Sequence, residues 1–145
     1  FAGVNLEGAD FSDADLTDVN FVGASLVRAV FKGARLGNTN FTEANLKDAY
    51  FESVTLSIRR DEGSRDQVVW VIRGANFTGA TFEGATLNFA GADAKKAVFA
   101  GVNLEGADFS DADLTDTHFK GAVLRGVNLK GANIKDANTF GVQWV

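Results

Sequence analysis

Phe1-Ala2-Gly3-Val4-Asn5-Leu6-Glu7-Gly8-Ala9-Asp10-Phe11-Ser12-Asp13-Ala14-Asp15-Leu16-Thr17-Asp18 decides how this chain folds. Phe1, Leu6, Phe11 and Leu16 stand at every fifth position, and the ladder continues through Phe21, Leu26, Phe31, Leu36, Phe41, Leu46, Phe51 and Leu56 with Phe and Leu alternating strictly. A surface helix needs apolar residues at a period of about 3.6, and a half-buried strand at a period of about 2. An unbroken period of five fits neither. It requires a chain that bends at every repeat, a coil of short extended segments joined by turns.

The neighbours of each rung say how such a coil is filled and turned. Two residues before each centre stand Val4, Ala9, Ala14, Val19, Ala24, Ala29, Ala34, Thr39, Ala44, Ala49 and Val54, every one small or β-branched. One bulky and one small inward position per repeat lets successive turns stack around a filled interior, where two bulky ones would overpack it. Two residues after the centre stand Gly3, Gly8, Asp13, Asp18, Gly23, Gly33, Asn38 and Asp48, with exceptions at Arg28, Glu43, Ser53 and Ile58. Gly, Asn and Asp tolerate the positive φ of a type II turn, so each repeat carries its own corner. The remaining polar positions, such as Asn5, Asp10, Asp15 and Asn20, are expected to point outward.

Ala9-Asp10-Phe11-Ser12-Asp13, Ala14-Asp15-Leu16-Thr17-Asp18 and Ala44-Asn45-Leu46-Lys47-Asp48 carry a resemblance. The chain resembles the pentapeptide repeat proteins, whose pattern is a small residue, Asp or Asn, Leu or Phe, and two mostly polar residues. The resemblance covers nearly the whole chain outside one insertion. It implies an all-β fold, a right-handed quadrilateral β-helix with four pentapeptides per coil, here about six to seven coils with one inserted loop. With four repeats per coil, Phe1, Phe21 and Phe41 share one column, Phe11 and Phe31 the opposite one, and Leu fills the other two.

The whole chain reads as a single repeat domain: a first block over 1–56, an inserted loop or hairpin over 57–73, a second block over 74–139, and a C-terminal cap over 140–145. The insertion begins as a charged run around Gly63 and ends as an apolar run, with Trp70-Val71-Ile72-Arg73-Gly74 re-entering as a repeat. If the Phe columns stay in line across it, Ile72 falls on a Leu face and Phe77 on a Phe face. The second block stumbles by two residues around Asn88 and Phe89, carries Ala94 and Thr139 at centres, and ends in Phe140, Val142, Trp144 and Val145, which are expected to cover the last coil. Phe1 through Asp18 recur unchanged as Phe99 through Asp116, so their surface is presented twice.

Composition removes several classes of chemistry. The 145 residues include no Cys, no Met, no Pro and one His, His118. That excludes a disulfide framework, a thiolate nucleophile and a multi-His zinc site. Neither cofactor nor metal is expected, and no catalytic residue is assigned: carboxylate pairs can be found among 19 acids, but no motif supplies a cleft to shift one pKa. A net charge of -5 argues against binding a nucleic-acid backbone, and no stretch approaches a membrane span. The chain starts at Phe1, within a repeat and without an initiator Met, so processing or trimming is expected and the compartment stays open.

Two surfaces stand out as candidates for contact with a protein partner of unknown identity. One is the insertion, with Arg59, Arg60, Arg65 and Trp70; insertions in repeat proteins map to loops and often to the binding face. The other is the acidic cluster of Asp10, Asp13, Asp15 and Asp18, repeated at Asp108, Asp111, Asp113 and Asp116. Its alternative reading is a solvated face that uses Asp for turns. Lys120, Arg125, Lys130 and Lys135 fall at equivalent positions of four successive repeats, a basic girdle facing four sides. The leading expectation is a non-enzymatic structural or protein-interaction module that presents flat β-faces and one loop to its partner; its oligomeric state stays open, with end-to-end and side-by-side association both allowed. The alternative comes from the resemblance, since some pentapeptide repeat proteins imitate DNA and bind a type II topoisomerase in quinolone protection. The family's distribution also implies a cyanobacterial or chloroplast-lumen setting.

Overall fold

The computed structural model describes residues 1–54, 72–82 and 87–145. Most of the segment expected to form the inserted loop lies outside them, and so do Arg59, Arg60, Arg65 and Trp70.

Each pentapeptide makes one side of a square coil. The Val4 N–H donates to the Phe1 carbonyl (3.2 Å) and the Ala9 N–H to the Leu6 carbonyl (3.0 Å), closing a turn whose third residue, Gly3 or Gly8, has positive φ. That is the type II corner, and it recurs along the chain. Arg28 (φ 57°), Glu43 (57°) and Ser53 (54°) adopt it too, so three of the four exceptions in sequence are not exceptions in backbone, and Ile58 lies outside the described residues. The residue before each centre pairs in parallel with its equivalent one coil later, Asn5 with Ser25, Asp10 with Val30, Asp15 with Arg35 and Asn20 with Asn40. A twenty-residue offset divided into pentapeptides gives four sides, and the molecule is a right-handed quadrilateral β-helix.

Four columns of side chains fill it. The first runs Phe1, Phe21, Phe41, Ile72, Ala94, Leu114 and Ile134; the second Leu6, Leu26, Leu46, Phe77, Phe99, Phe119 and Thr139. The third holds Phe11, Phe31, Phe51 and Phe82, then Leu104 and Leu124; the fourth holds Leu16 and Leu36, then Phe89, Phe109 and Leu129. Rings stack within a column, Phe21 on Phe41 at 5.4 Å and 4°, Phe31 on Phe51 at 4.8 Å and 6°, and meet edge-on between columns, Phe31 against Phe41 at 89°. Each buried centre contributes roughly 1.5–3 kcal/mol. The small positions are buried with them, and the buried Thr39 and Thr117 hydroxyls are satisfied by donating to the Leu16 and Ala94 carbonyls at 3.0 and 2.9 Å.

The column assignment across the insertion is corrected. Asn45 pairs with Asn76 and Tyr50 with Thr81, offsets of thirty-one residues against twenty before them. Ile72 therefore follows Phe41 on a Phe column, and Phe77 follows Leu46 on a Leu column. The coil has four faces, and eleven extra residues do not create a fifth to keep the alternation in step. Phe82 still stacks on Phe51 in the third column, and beyond it the Phe stacks occupy the second and fourth, Phe77 on Phe99 at 5.0 Å and Phe89 on Phe109 at 4.7 Å. Two further residues are absorbed between Phe82 and Asn88: Asn76 pairs with Val98 across twenty-two, and Asn88 with Asp108 across twenty again.

At the C-terminal end, Val142 packs against the core and Trp144 is 47% exposed, while Phe140, at an outward corner position, is 74% exposed. Phe140 therefore does not cover the last coil, and Ile134 is left 55% exposed.

Candidate interaction surface

The outward Asp and Asn residues are more than solvated. The Asp10 carboxylate accepts from the Ser12 N–H at 2.9 Å and from its hydroxyl at 2.5 Å; Asp15 accepts from the Thr17 N–H at 3.1 Å and its hydroxyl at 2.6 Å. Asn5, Asn20, Asn40, Asn76 and Asn128 make the same bond to the N–H two residues on. A short side chain with an acceptor oxygen is what this bond requires, which is why Asp or Asn recurs before the centre. The sequence signal was the residue type itself; read only as polarity, it hides the role. The hydroxyl and amide donors hold the Asp10, Asp15 and Asp113 carboxyls below their ordinary range, the Ser or Thr hydroxyl being the larger cause, while at Asp108 the Ser110 N–H leads.

The other acids of the cluster sit at corners. Asp13 and Asp18 have φ of 59° and 62°, and the Asn38 amide donates to Asp18 at 3.1 Å. A Cβ at Gly33 would lie 2.3 Å from an Asp13 carboxylate oxygen, so Asp13 folds over the glycine of the next coil. Asp48 over Gly79 and Asp111 over Gly131 repeat the arrangement.

Cations neutralise some of the acids. Arg28 pairs with Glu7, Arg35 with Asp15 at 2.9 Å and Arg125 with Glu105 at 3.3 Å, each one coil from its acid. Arg73 pairs with Asp93 and Lys95 with Asp113, both at 3.1 Å. The girdle residues Lys120, Arg125, Lys130 and Lys135 are exposed, and His118 is exposed on the second face between Val98 and Asn138.

The duplicated stretch is not displayed in line. Asp10 pairs with Val30 on the third face, whereas its counterpart Asp108 pairs with Asn88 and Asn128 on the fourth. Asp15 lies on the fourth face and Asp113 on the first. Identical sequences thus present the same ribbon a quarter turn apart, because whole coils plus one face separate them.

Among the described residues, no group of three or more His, Asp or Glu side chains is gathered to hold a metal ion. A cavity of about 180 Å³ at the C-terminal end is lined by Leu114, Phe119, Leu124, Leu129, Ile134, Ala137, Thr139 and Trp144, with no titratable side chain. No described helix is long and apolar enough to cross a membrane.

A parallel coil of four-sided turns, with Asp or Asn capping many of the sides and mostly Leu or Phe inside, defines a pentapeptide solenoid. The chain belongs to the pentapeptide repeat family: the model described as "Pentapeptide repeats (8 copies)" matches residues 1–33, 28–57, 87–121 and 107–138. No curated protein sequence matches the chain. Among solved structures it is similar to HetL, a pentapeptide repeat protein involved in heterocyst differentiation regulation from the cyanobacterium Nostoc (26% identity over 98% of this chain and 75% of that one, TM-score 0.30). It is also similar to a pentapeptide repeat protein of the Arabidopsis thaliana thylakoid lumen (25%, 97% and 65%, TM-score 0.30). A third is QnrB1, a plasmid-mediated fluoroquinolone resistance protein (20%, 99% and 90%, TM-score 0.43).

Proposed function

We propose that this protein is a non-enzymatic interaction module whose contact surface centres on the extra segment between Phe51 and Ile72. One observation carries the reading. Asn45 still pairs with Asn76, and Phe51 stacks on Phe82 at 4.9 Å, although eleven more residues intervene than in the preceding coils. The described coils keep their register across the extra residues, and insertions in a repeat often form the binding surface. Area points the same way. At about 4.8 Å per coil over about six to seven coils, and about 3.3 Å for each of the roughly three extended residues between corners, one flat face offers on the order of 300 Å². A standard interface takes roughly 800 Å² from each partner. A partner must therefore use more than one face, and Arg59, Arg60, Arg65 and Trp70 supply the residue types that dominate hot spots. Asp10, Asp13, Asp15 and Asp18 play the smaller part, since Asp10 and Asp15 are already engaged in the shaft.

Deleting residues 59–69 removes eleven residues and restores a coil of ordinary length. The far-ultraviolet circular dichroism and melting temperature are expected to stay close to those of the intact chain, while proteins retained from a lysate by the immobilised intact chain are lost. Retention of the same proteins by the deletion variant would refute the role given to the segment.

The DNA-mimic reading is the weaker one. A mimic needs an unneutralised acidic face, and here Glu7, Asp15, Glu105 and Asp113 are each paired with a cation.

A further inference from the structure

We draw no further inference here: the strongest candidate, the apolar opening at the C-terminal end of the solenoid where Leu129, Ile134 and Trp144 line a cavity close to the basic girdle, carries nothing because nothing in the structure shows what covers it.

Discussion

At the scale of single residues, the corner makes the strongest demand. Arg28, Glu43, Ser53 and Lys96 hold φ between 54° and 61°, a conformation that costs a non-glycine residue roughly 1–2 kcal/mol. Glycine avoids that cost but loses about 0.5–1 kcal/mol more chain entropy on folding. Ser53→Gly is therefore expected to stabilise the protein by about 0.5 kcal/mol in urea unfolding; a loss would mean that the Ser53 side chain makes a contribution larger than the strain. The capping carboxylates give a second test. Their folded pKa values lie below the unfolded ones, so their stabilisation is complete above the unfolded value of about 3.9 and disappears as pH falls through the lowered folded values. Stability should change little between about pH 7 and 5 and drop below about pH 4. Replacing Asp10, Asp15, Asp108 and Asp113 together by Asn keeps an acceptor for the corner N–H, as Asn5 does, and removes the titration. The acid limb of the stability profile should flatten. An unaltered limb would assign the acid loss to other groups.

At the scale of the coil, the column is the unit of stability. Leu26 is 0% exposed between Leu6 and Leu46, so Leu26→Asp loses its burial and places an unpaired carboxylate in the core. We expect destabilisation of more than about 4 kcal/mol, with loss of cooperative thermal unfolding. An intact melt would remove Leu26 from the interior. Arg73→Ala, by contrast, breaks a half-exposed pair and should cost less than about 1 kcal/mol. The period of five was legible because each centre must point inward, whatever its neighbours. The identity of each column was not. Phe77 on Leu46 and Ile72 on Phe41 follow from which residues pair across the insertion, and no local preference of Phe or Leu encodes that pairing. The corner shows the same division: Gly, Asn and Asp announced it, whereas Arg28 and Glu43 adopt it where coil-to-coil hydrogen bonds hold the corner from both sides.

At the scale of the molecule, part of the acidic composition is neutralised within the shaft, because Arg28, Arg35, Lys95 and Arg125 each meet an acid of the adjoining coil. A gyrase supercoiling assay with the purified protein is expected to show neither inhibition nor protection from a quinolone; either effect would restore the DNA-mimic reading. Of the candidate contact residues, sequence alone could single out the insertion, because a break in a strict repeat is visible without coordinates. It could not say that Asp10 and Asp15 are occupied as turn caps, since the N–H and hydroxyl donors two residues on reach them only once the corner has formed. By itself the sequence determined the repeat, its inward pair of positions and its family, through a periodicity that only a turning coil can bury. The tertiary structure decided which columns continue across the insertion, which acids are neutralised, and that the two identical stretches face a quarter turn apart. Those depend on what lies one coil away, and in a solenoid that neighbour is set by the count of residues between and not by the residues themselves.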